Sequence, residues 1–143
     1  MLVPFPQIRM PRPSGGLLAH ASAHGVSAAA AAIPLTRRLA ARRVQFVTGH
    51  DVTGHLPEQR NMAALADADA TTVVFMPKRT FPALAASLID HGLAPDTPAL
   101  MAENVGHPDQ SLTRATIASL AESLRDTVSS KPALILYGPL MEP

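Results

Sequence analysis

The sequence has no cysteine, no tryptophan and few aromatic residues, with one Tyr and four Phe in 143 positions. The absence of cysteine excludes a disulfide framework and any thiolate metal site, and it fits the reducing cytoplasm, where we expect the protein to reside. The sequence also has no marked excess of positive or negative charge. Lys and Arg number 12 against 11 Asp and Glu, a formal net charge of +1. No field large enough to hold a nucleic-acid backbone results, and we expect no nucleic-acid partner.

Long hydrophobic runs are absent as well. No segment approaches the roughly 20 apolar residues that a helix needs to cross a bilayer. The start of the chain, MLVPFPQIRMPRPSGG, is interrupted by prolines and arginines, whereas a signal peptide has a basic start and an unbroken apolar centre. We therefore expect neither a membrane partner nor export.

Apolar residues are abundant, at 47% of the chain against 16% charged residues. This composition and length predict one ordinary globular domain, which buries roughly two thirds of the surface that its unfolded chain exposes. Proline is concentrated at the start. Residues 1–24 contain four prolines and the pair Gly15-Gly16, which oppose helix and central strand, so we predict an extended or poorly ordered N-terminal arm there.

Four short apolar segments predict strands of one sheet, because each is bounded by Pro, Gly or a polar residue. They are residues 44–47, 72–76, 99–102 and 133–137. The first is expected to be largely buried and ends on Thr48-Gly49-His50, a Gly-containing turn of the kind where α/β proteins place chemistry. Residues 111–117 are compatible with a fifth strand or with the start of a helix.

Four segments predict helices, one before the first strand and three between the strands. They are the alanine run 28–32 with Ser27 as its N-cap, 62–66 capped by Asn61, a helix from the N-cap Thr80 to about His91 with Gly92 as a left-handed terminus, and 118–128. Strands alternate with helices along the chain. The sequence therefore predicts an α/β domain with a sheet of four to five strands flanked by helices.

Several separated phrases occur in the order typical of one family. They are IPLT at 33–36, FVTGH at 46–50, VFM at 74–76, AEN at 102–104 and PALI at 132–135. Together they resemble the tetrapyrrole methylase family from about Gly25 to Gly138, and within it most resemble the members that methylate uroporphyrinogen III.

The resemblance implies a homodimeric, two-domain α/β enzyme that binds S-adenosyl-L-methionine between its domains. Such an enzyme transfers the methyl group to ring carbons of a tetrapyrrole, here expected to convert uroporphyrinogen III to precorrin-2 for siroheme and cobalamin. Residues 25–143 correspond to the C-terminal domain, with a mixed sheet. The GPGDP-like and GGDP-like turns of the N-terminal domain do not occur in this sequence. The catalytic residues proposed for the family lie in that domain, so none is assigned.

Five residues inherit a cofactor contact from the resemblance. Ser27 and Ala28 match the Thr-Ala pair of a GVTA turn, Met76 matches the methionine of FYM, Val105 occupies a position where the family often has Gly, and Ala133 is expected near the adenine ring. Two of them have a simpler alternative role. Ser27 is suited to cap a helix, and Met76 is suited to fill the core.

Two basic phrases leave a choice open. Thr36-Arg37-Arg38 resembles the family's THR phrase, and its guanidinium groups would suit the carboxylates of the substrate. A solvated basic turn explains the same residues equally well. Lys78 and Arg79 offer the same two alternatives.

Other catalytic patterns are missing. His50, Asp51 and His55 lack the spacing of a metal site, and we expect no metal; no GxSxG phrase positions a nucleophile. Two alternatives to uroporphyrinogen III methylation remain. One is a non-catalytic α/β binding or dimerisation module descended from this domain, and the other is a methylase of a later corrinoid intermediate.

Overall fold

The structure is a computed structural model that describes residues 34–36, 39–51, 53–57, 60–127 and 129–140. These form five strands and three helices in the order β1, α1, β2, α2, β3, β4, α3, β5. The strands are β1 Arg43–Thr48, β2 Ala70–Phe75, β3 Pro98–Glu103, β4 Ser111–Thr116 and β5 Ala133–Tyr137, and the helices are α1 Met62–Leu65, α2 Phe81–Asp90 and α3 Ile117–Leu124. The predicted arm 1–24 and the alanine-rich helix 28–32 lie outside the described residues.

The five strands form one mixed sheet in the order β1-β2-β5-β3-β4. β1 and β2 are parallel, whereas β2–β5, β5–β3 and β3–β4 are antiparallel. β1, β2 and β3 therefore run in the same direction. Their carboxyl ends, with the amino ends of β4 and β5, make what we call the upper edge of the sheet, and the opposite ends make the lower edge. The predicted α/β domain with a mixed sheet is confirmed.

The predicted burial of the first strand is wrong. Among the strands of the described ranges, β1 lies at the edge of the sheet with β2 as its one neighbour, and Phe46 is 49% exposed. The centre of the sheet is β5, whose Leu134, Ile135, Leu136 and Tyr137 are all buried. An apolar segment fits either position, and only the pairing order decides between them.

The segment 111–117 contains both of the structures that the sequence left open. Ser111–Thr116 is β4, paired with β3 along its whole length, and α3 begins at Ile117. The side chain of Thr116 accepts a hydrogen bond from the Ser119 amide as an N-cap. α3 ends at Leu124 rather than near 128, and Asp126 just beyond that end is unfavourable to the helix dipole.

α2 and α3 cover one face of the sheet and contribute most of the core. Their inward positions are fully or nearly buried, at Leu84 and Leu88 in α2 and at Ile117, Leu120 and Leu124 in α3. Burial of each such side chain contributes about 2 kcal/mol. The partners on the sheet are Val74, Ala99, Met101, Ile135 and Tyr137. None of the helices in the described ranges is long and apolar enough to cross a membrane.

The helix termini test three sequence predictions. The Asn61 side chain accepts from the Ala64 amide at 3.1 Å, and Gly92 has φ +95° as a left-handed terminus, so both are confirmed. Thr80 precedes α2, but its side chain makes no capping hydrogen bond. Its hydroxyl donates instead to the carbonyl of Gly49. Thr80 therefore occupies the predicted N-cap position, but a partner distant in sequence takes the hydroxyl that was expected to cap the helix.

Candidate functional site

The upper edge brings together the ends of β2 and β3 and the start of β5. β5 lies between the other two strands, with Leu134 opposite both Phe75 and Ala102, and Ala133 opposite Glu103. Neighbouring strands are roughly 4.8 Å apart, so the ends of β2 and β3 lie about 10 Å from each other. The turns that follow β2 and β3 therefore adjoin the same small region.

Met76, the first residue after β2, has a conformation that a side chain rarely adopts. Its φ is +51°, and its side chain is 48% exposed, which excludes the core-filling alternative. A non-glycine residue in this region costs energy and persists only where its surroundings impose it. Asn104, the first residue after β3, is the only other non-glycine residue with positive φ in the described ranges, at +48°. Both therefore occur at the upper edge.

The FVTGH phrase holds the Met76 turn in place. The Gly49 amide donates to the carbonyl of Phe75 at 2.6 Å, while the Gly49 carbonyl accepts from the Thr80 hydroxyl. A Cβ at position 49 would lie 2.8 Å from the Met76 carbonyl oxygen and 2.9 Å from the Cα of Pro77. Only glycine permits so close an approach. The family resemblance identified the FVTGH phrase, and the close packing of Gly49 against the Met76 turn explains why the phrase contains glycine.

The loop after β3 is fixed by its own hydrogen bonds. Asn104 donates its amide to Pro132 at 3.0 Å and its Nδ2 to Asp109 at 2.9 Å, and Lys131 Nζ lies 3.2 Å from the same carboxylate oxygen of Asp109. Lys131, and then Asn104, hold the pKa of Asp109 below its ordinary value. Val105 lies half-buried in this loop.

Valine replaces the family's frequent glycine at position 105 without backbone strain. Val105 does not have positive φ, and the left-handed conformation is taken by Asn104 and, at +88°, by Gly106. Asn tolerates this conformation better than most residues, and glycine adopts it freely. The backbone at Val105 therefore does not require glycine, so the substitution leaves a backbone contact at this position available.

Lys78 is neither a solvated cation nor free to bind a substrate carboxylate. Its ammonium group forms an ion pair with Glu103 at the end of β3 and donates to Ser129 Oγ at 2.8 Å. The Lys78 side chain is only 11% exposed. Sequence reasoning missed this contact, because 25 positions separate the two partners and no local pattern joins them.

The histidine and aspartate residues of the loop after β1 form a turn. Asp51 Oδ1 accepts from the Thr53 amide at 2.8 Å, the Thr53 hydroxyl at 2.6 Å and the His55 amide at 3.2 Å. Hydrogen bonds from Thr53 lower the pKa of Asp51 from its ordinary value. Among the residues that the structure describes, no group of three His, Asp or Glu side chains is placed to hold a metal ion.

Three of the five expected cofactor contacts thus adjoin one region of the upper edge: Met76, Val105 and Ala133. Ser27 and Ala28 lie outside the described residues, as do Arg37 and Arg38 of the basic phrase, while Thr36 and Arg79 are exposed. The region combines a half-exposed thioether, a small side chain and two turns with left-handed backbone. Such a surface can bind an apolar or planar group and fix its orientation through peptide groups.

Relatives of known name resemble the chain over most of its length. It is 38% identical over 115 residues to the S-adenosyl-L-methionine-dependent uroporphyrinogen III methyltransferase, chloroplastic, of Arabidopsis thaliana, a match covering 80% of this chain and 31% of that protein. It is 36% identical over 123 residues to a siroheme synthase of Hydrogenovibrio crunogenus, covering 82% and 26%.

Solved structures show the same fold. A cobalt precorrin-4 methyltransferase matches with a TM-score of 0.70 at 26% identity, covering 81% of this chain and 48% of that one. The uroporphyrin-III C-methyl transferase of Thermus thermophilus, complexed with S-adenosyl homocysteine, matches with a TM-score of 0.64 at 26% identity, covering 80% and 49%. The chain thus spans about half of these structures and about a third or less of the curated relatives above.

A family model matches most of the chain directly. The model of the tetrapyrrole (corrin/porphyrin) methylases covers residues 18–121, which include β1 to β4, the Met76 turn and the Val105 loop. The chain therefore belongs to the tetrapyrrole methylase family.

Proposed function

We propose that this chain is the C-terminal half of an S-adenosyl-L-methionine-dependent methyltransferase that methylates a tetrapyrrole, with uroporphyrinogen III as the substrate and precorrin-2 as the product. The domain begins near residue 25 and follows the proline-rich arm 1–24. The observation that carries the proposal is the shared location of Met76, Val105 and Ala133 at the upper edge. One relative of the chain is named an S-adenosyl-L-methionine-dependent uroporphyrinogen III methyltransferase, and another is named a siroheme synthase.

The residues of the upper edge fit the methyl donor in chemical type. Met76 and Ala133 offer apolar contacts for its adenosyl group, and the turn at Val105 offers peptide groups for its polar atoms. When bound, the sulfonium supplies an activated methyl group. The task of this chain is then to orient the donor and to keep it at a fixed distance from the nucleophilic carbon. No acid or base from the described residues is required for that task.

The proposal also covers how the protein binds its substrate, its oligomeric state and its location in the cell. Arg79 is exposed on the turn after β2, three residues beyond Met76, where a guanidinium would suit a carboxylate-rich tetrapyrrole. A homodimer in the cytoplasm is the expected form, without nucleic-acid or membrane partners.

Calorimetric titration with S-adenosylhomocysteine tests donor binding by the chain itself. The proposal predicts saturable binding with a stoichiometry of about one per chain, abolished by prior saturation with S-adenosylmethionine. Adenosine alone serves as a control ligand and should bind more weakly, because it lacks the amino-acid portion. Absence of saturable heat at millimolar ligand would contradict donor binding.

One rival is a non-catalytic α/β binding or dimerisation module descended from the same domain. Incubation with uroporphyrinogen III and methyl-labelled S-adenosylmethionine separates the two. Labelled precorrin-2 would reject the module. If label is incorporated only when a later corrinoid intermediate is supplied, the proposal of methyl transfer stands and the corrinoid takes the place of uroporphyrinogen III as the substrate.

A further inference from the structure

One ion pair at the upper edge joins the segments that contain the two strained residues. Lys78 lies two residues after Met76, and Glu103 immediately precedes Asn104. Their contact therefore links the turn after β2 directly to the end of β3. The additional hydrogen bond from Lys78 to Ser129, at 2.8 Å, attaches the segment that leads into β5. A single ammonium group thus connects all three segments that meet in this region.

This pair differs from the other ion pairs in the described part of the chain. The Lys78 and Glu103 side chains are 11% and 18% exposed, whereas Arg43–Asp67, Arg125–Glu122 and Lys131–Asp109 are between 35% and 70% exposed. Removing two charges from water is costly, and apolar residues of similar volume often stabilise a fold equally well. Stability alone therefore does not explain why charges occupy these two positions.

We propose that Lys78 and Glu103 are positioning residues for the donor site, an inference that rests on the proposed function. Their charge-assisted contact fixes the separation between the Met76 turn and the Asn104-Val105 loop. Neither side chain is required to touch the donor. The pair acts by keeping the two turns at the spacing that the donor spans, so its loss should weaken donor binding more than it weakens the fold.

A matched pair of double variants tests this role. Lys78→Met with Glu103→Gln removes both charges while nearly preserving volume, and Arg43→Met with Asp67→Asn does the same to the exposed pair at the lower edge, whose atoms are 2.7 Å apart. We expect the first variant to bind S-adenosylhomocysteine about tenfold more weakly and to unfold within a few degrees of the parent. The control should keep its affinity within about twofold.

Charge reversal provides the rescue. Lys78→Glu with Glu103→Lys restores an ion pair of opposite direction and should recover most of the lost affinity, whereas either single reversal should not. A neutral variant that melts lower but binds as tightly as the parent would show a merely structural pair and overturn the inference.

Amide hydrogen exchange keeps this test separate from that of the proposed function. The Asn104 amide donates to Pro132 at 3.0 Å in the loop that Glu103 anchors. Its exchange should accelerate at least about fivefold in the neutral Lys78–Glu103 variant and stay unchanged in the control. If the parent chain binds no S-adenosylhomocysteine, the proposed function fails. Unchanged exchange at Asn104 in the neutral variant would then overturn the positioning role independently.

Discussion

The two edges of the sheet differ in the type of residue that adopts positive φ directly after a strand. At the lower edge, the left-handed position after β5 is occupied by glycine, Gly138, with φ +134°. At the upper edge, the corresponding positions after β2 and β3 are occupied by Met76 and Asn104. A fold that needs only a close approach uses glycine, because it has no Cβ. A side chain retained where glycine would cost less suggests that the side chain itself is needed.

The ion pairs follow the same division. Arg43–Asp67 at the lower edge is exposed and adds little to stability, while Lys78–Glu103 at the upper edge is mostly withdrawn from water. Strain and desolvated charge therefore coincide at the upper edge. Close packing accounts for the glycine at the lower edge. At the upper edge, packing does not account for the backbone strain or for the desolvation of the Lys78–Glu103 pair.

The largest expected effect is at the lower edge. Gly138→Ala would place a Cβ 2.3 Å from the Ala70 carbonyl oxygen in a backbone region that side chains rarely adopt. We expect a loss of about 4 kcal/mol in the free energy of unfolding, measured by urea denaturation. Gly92→Ala is the control, because its Cβ would meet nothing within 4 Å. It should cost only about 1 kcal/mol. Equal costs would show that the contact at Gly138 is unimportant.

Gly49→Ala at the upper edge should have a smaller effect on stability, and it should also weaken binding of the donor. The new Cβ would lie within 3 Å of the Phe75 and Met76 carbonyl oxygens and force the Met76 turn to move. We expect a loss of about 2 kcal/mol, together with weaker binding of S-adenosylhomocysteine by the folded protein. Calorimetry below the unfolding temperature measures the second effect. Full affinity in the folded variant would separate this turn from the donor site.

Tyr137 at the lower edge should affect stability alone. Its hydroxyl donates to the Leu65 carbonyl at 2.9 Å, and burial raises its pKa to about 12. Tyr137→Phe should cost about 1 kcal/mol at pH 7 and leave donor binding intact.

The pH dependence of the parent provides a check on Tyr137. Since the folded pKa exceeds the unfolded value near 10, the folded state holds the phenol proton more tightly. The parent should therefore lose up to about 3 kcal/mol as pH rises from 10 through 12, a loss that the Phe variant lacks. Parallel pH profiles of the two proteins in urea would contradict the buried neutral phenol.

The smallest expected effect on stability is at Met76. Met76→Asn places a residue that tolerates left-handed φ at this strained position, so stability should change by no more than about 0.5 kcal/mol and in the stabilising direction. Binding of S-adenosylhomocysteine should nevertheless weaken about tenfold. A variant that is both equally stable and equally tight in binding would remove the reason for a methionine there.

The sequence predicted the parts of the fold that depend on local pattern. The four apolar segments became β1, β2, β3 and β5, and the Asn61 cap and the Gly92 terminus were confirmed. β4 stayed ambiguous, because this edge strand has no fully buried residue and only two apolar ones, Leu112 and Ala115, so its apolar periodicity is weak. The order of the strands could not be read either, so β1 was wrongly taken as buried when β5 is central.

Local sequence pattern predicted even less of the candidate site than of the fold. Motif resemblance selected Met76, Val105 and Ala133, and pairing brought the ends of their strands to one edge. The groups that hold this edge together were missed or misassigned, since each depends on a partner far along the chain. Thr80 was interpreted as a capping side chain, but its hydroxyl bonds to Gly49. Lys78 was interpreted either as a partner of substrate carboxylates or as part of a solvated basic turn, but it pairs with Glu103.

Methyl resonances of the methionines test most directly whether the upper edge is the donor site. The chain has six methionines, of which Met76 is 48% exposed at this edge and Met101 is 8% exposed within the sheet. On titration of methyl-¹³C-methionine protein with S-adenosylhomocysteine, the Met76 signal should shift progressively to saturation while the Met101 signal stays within its linewidth. Saturable binding that leaves the Met76 signal unmoved would contradict the account.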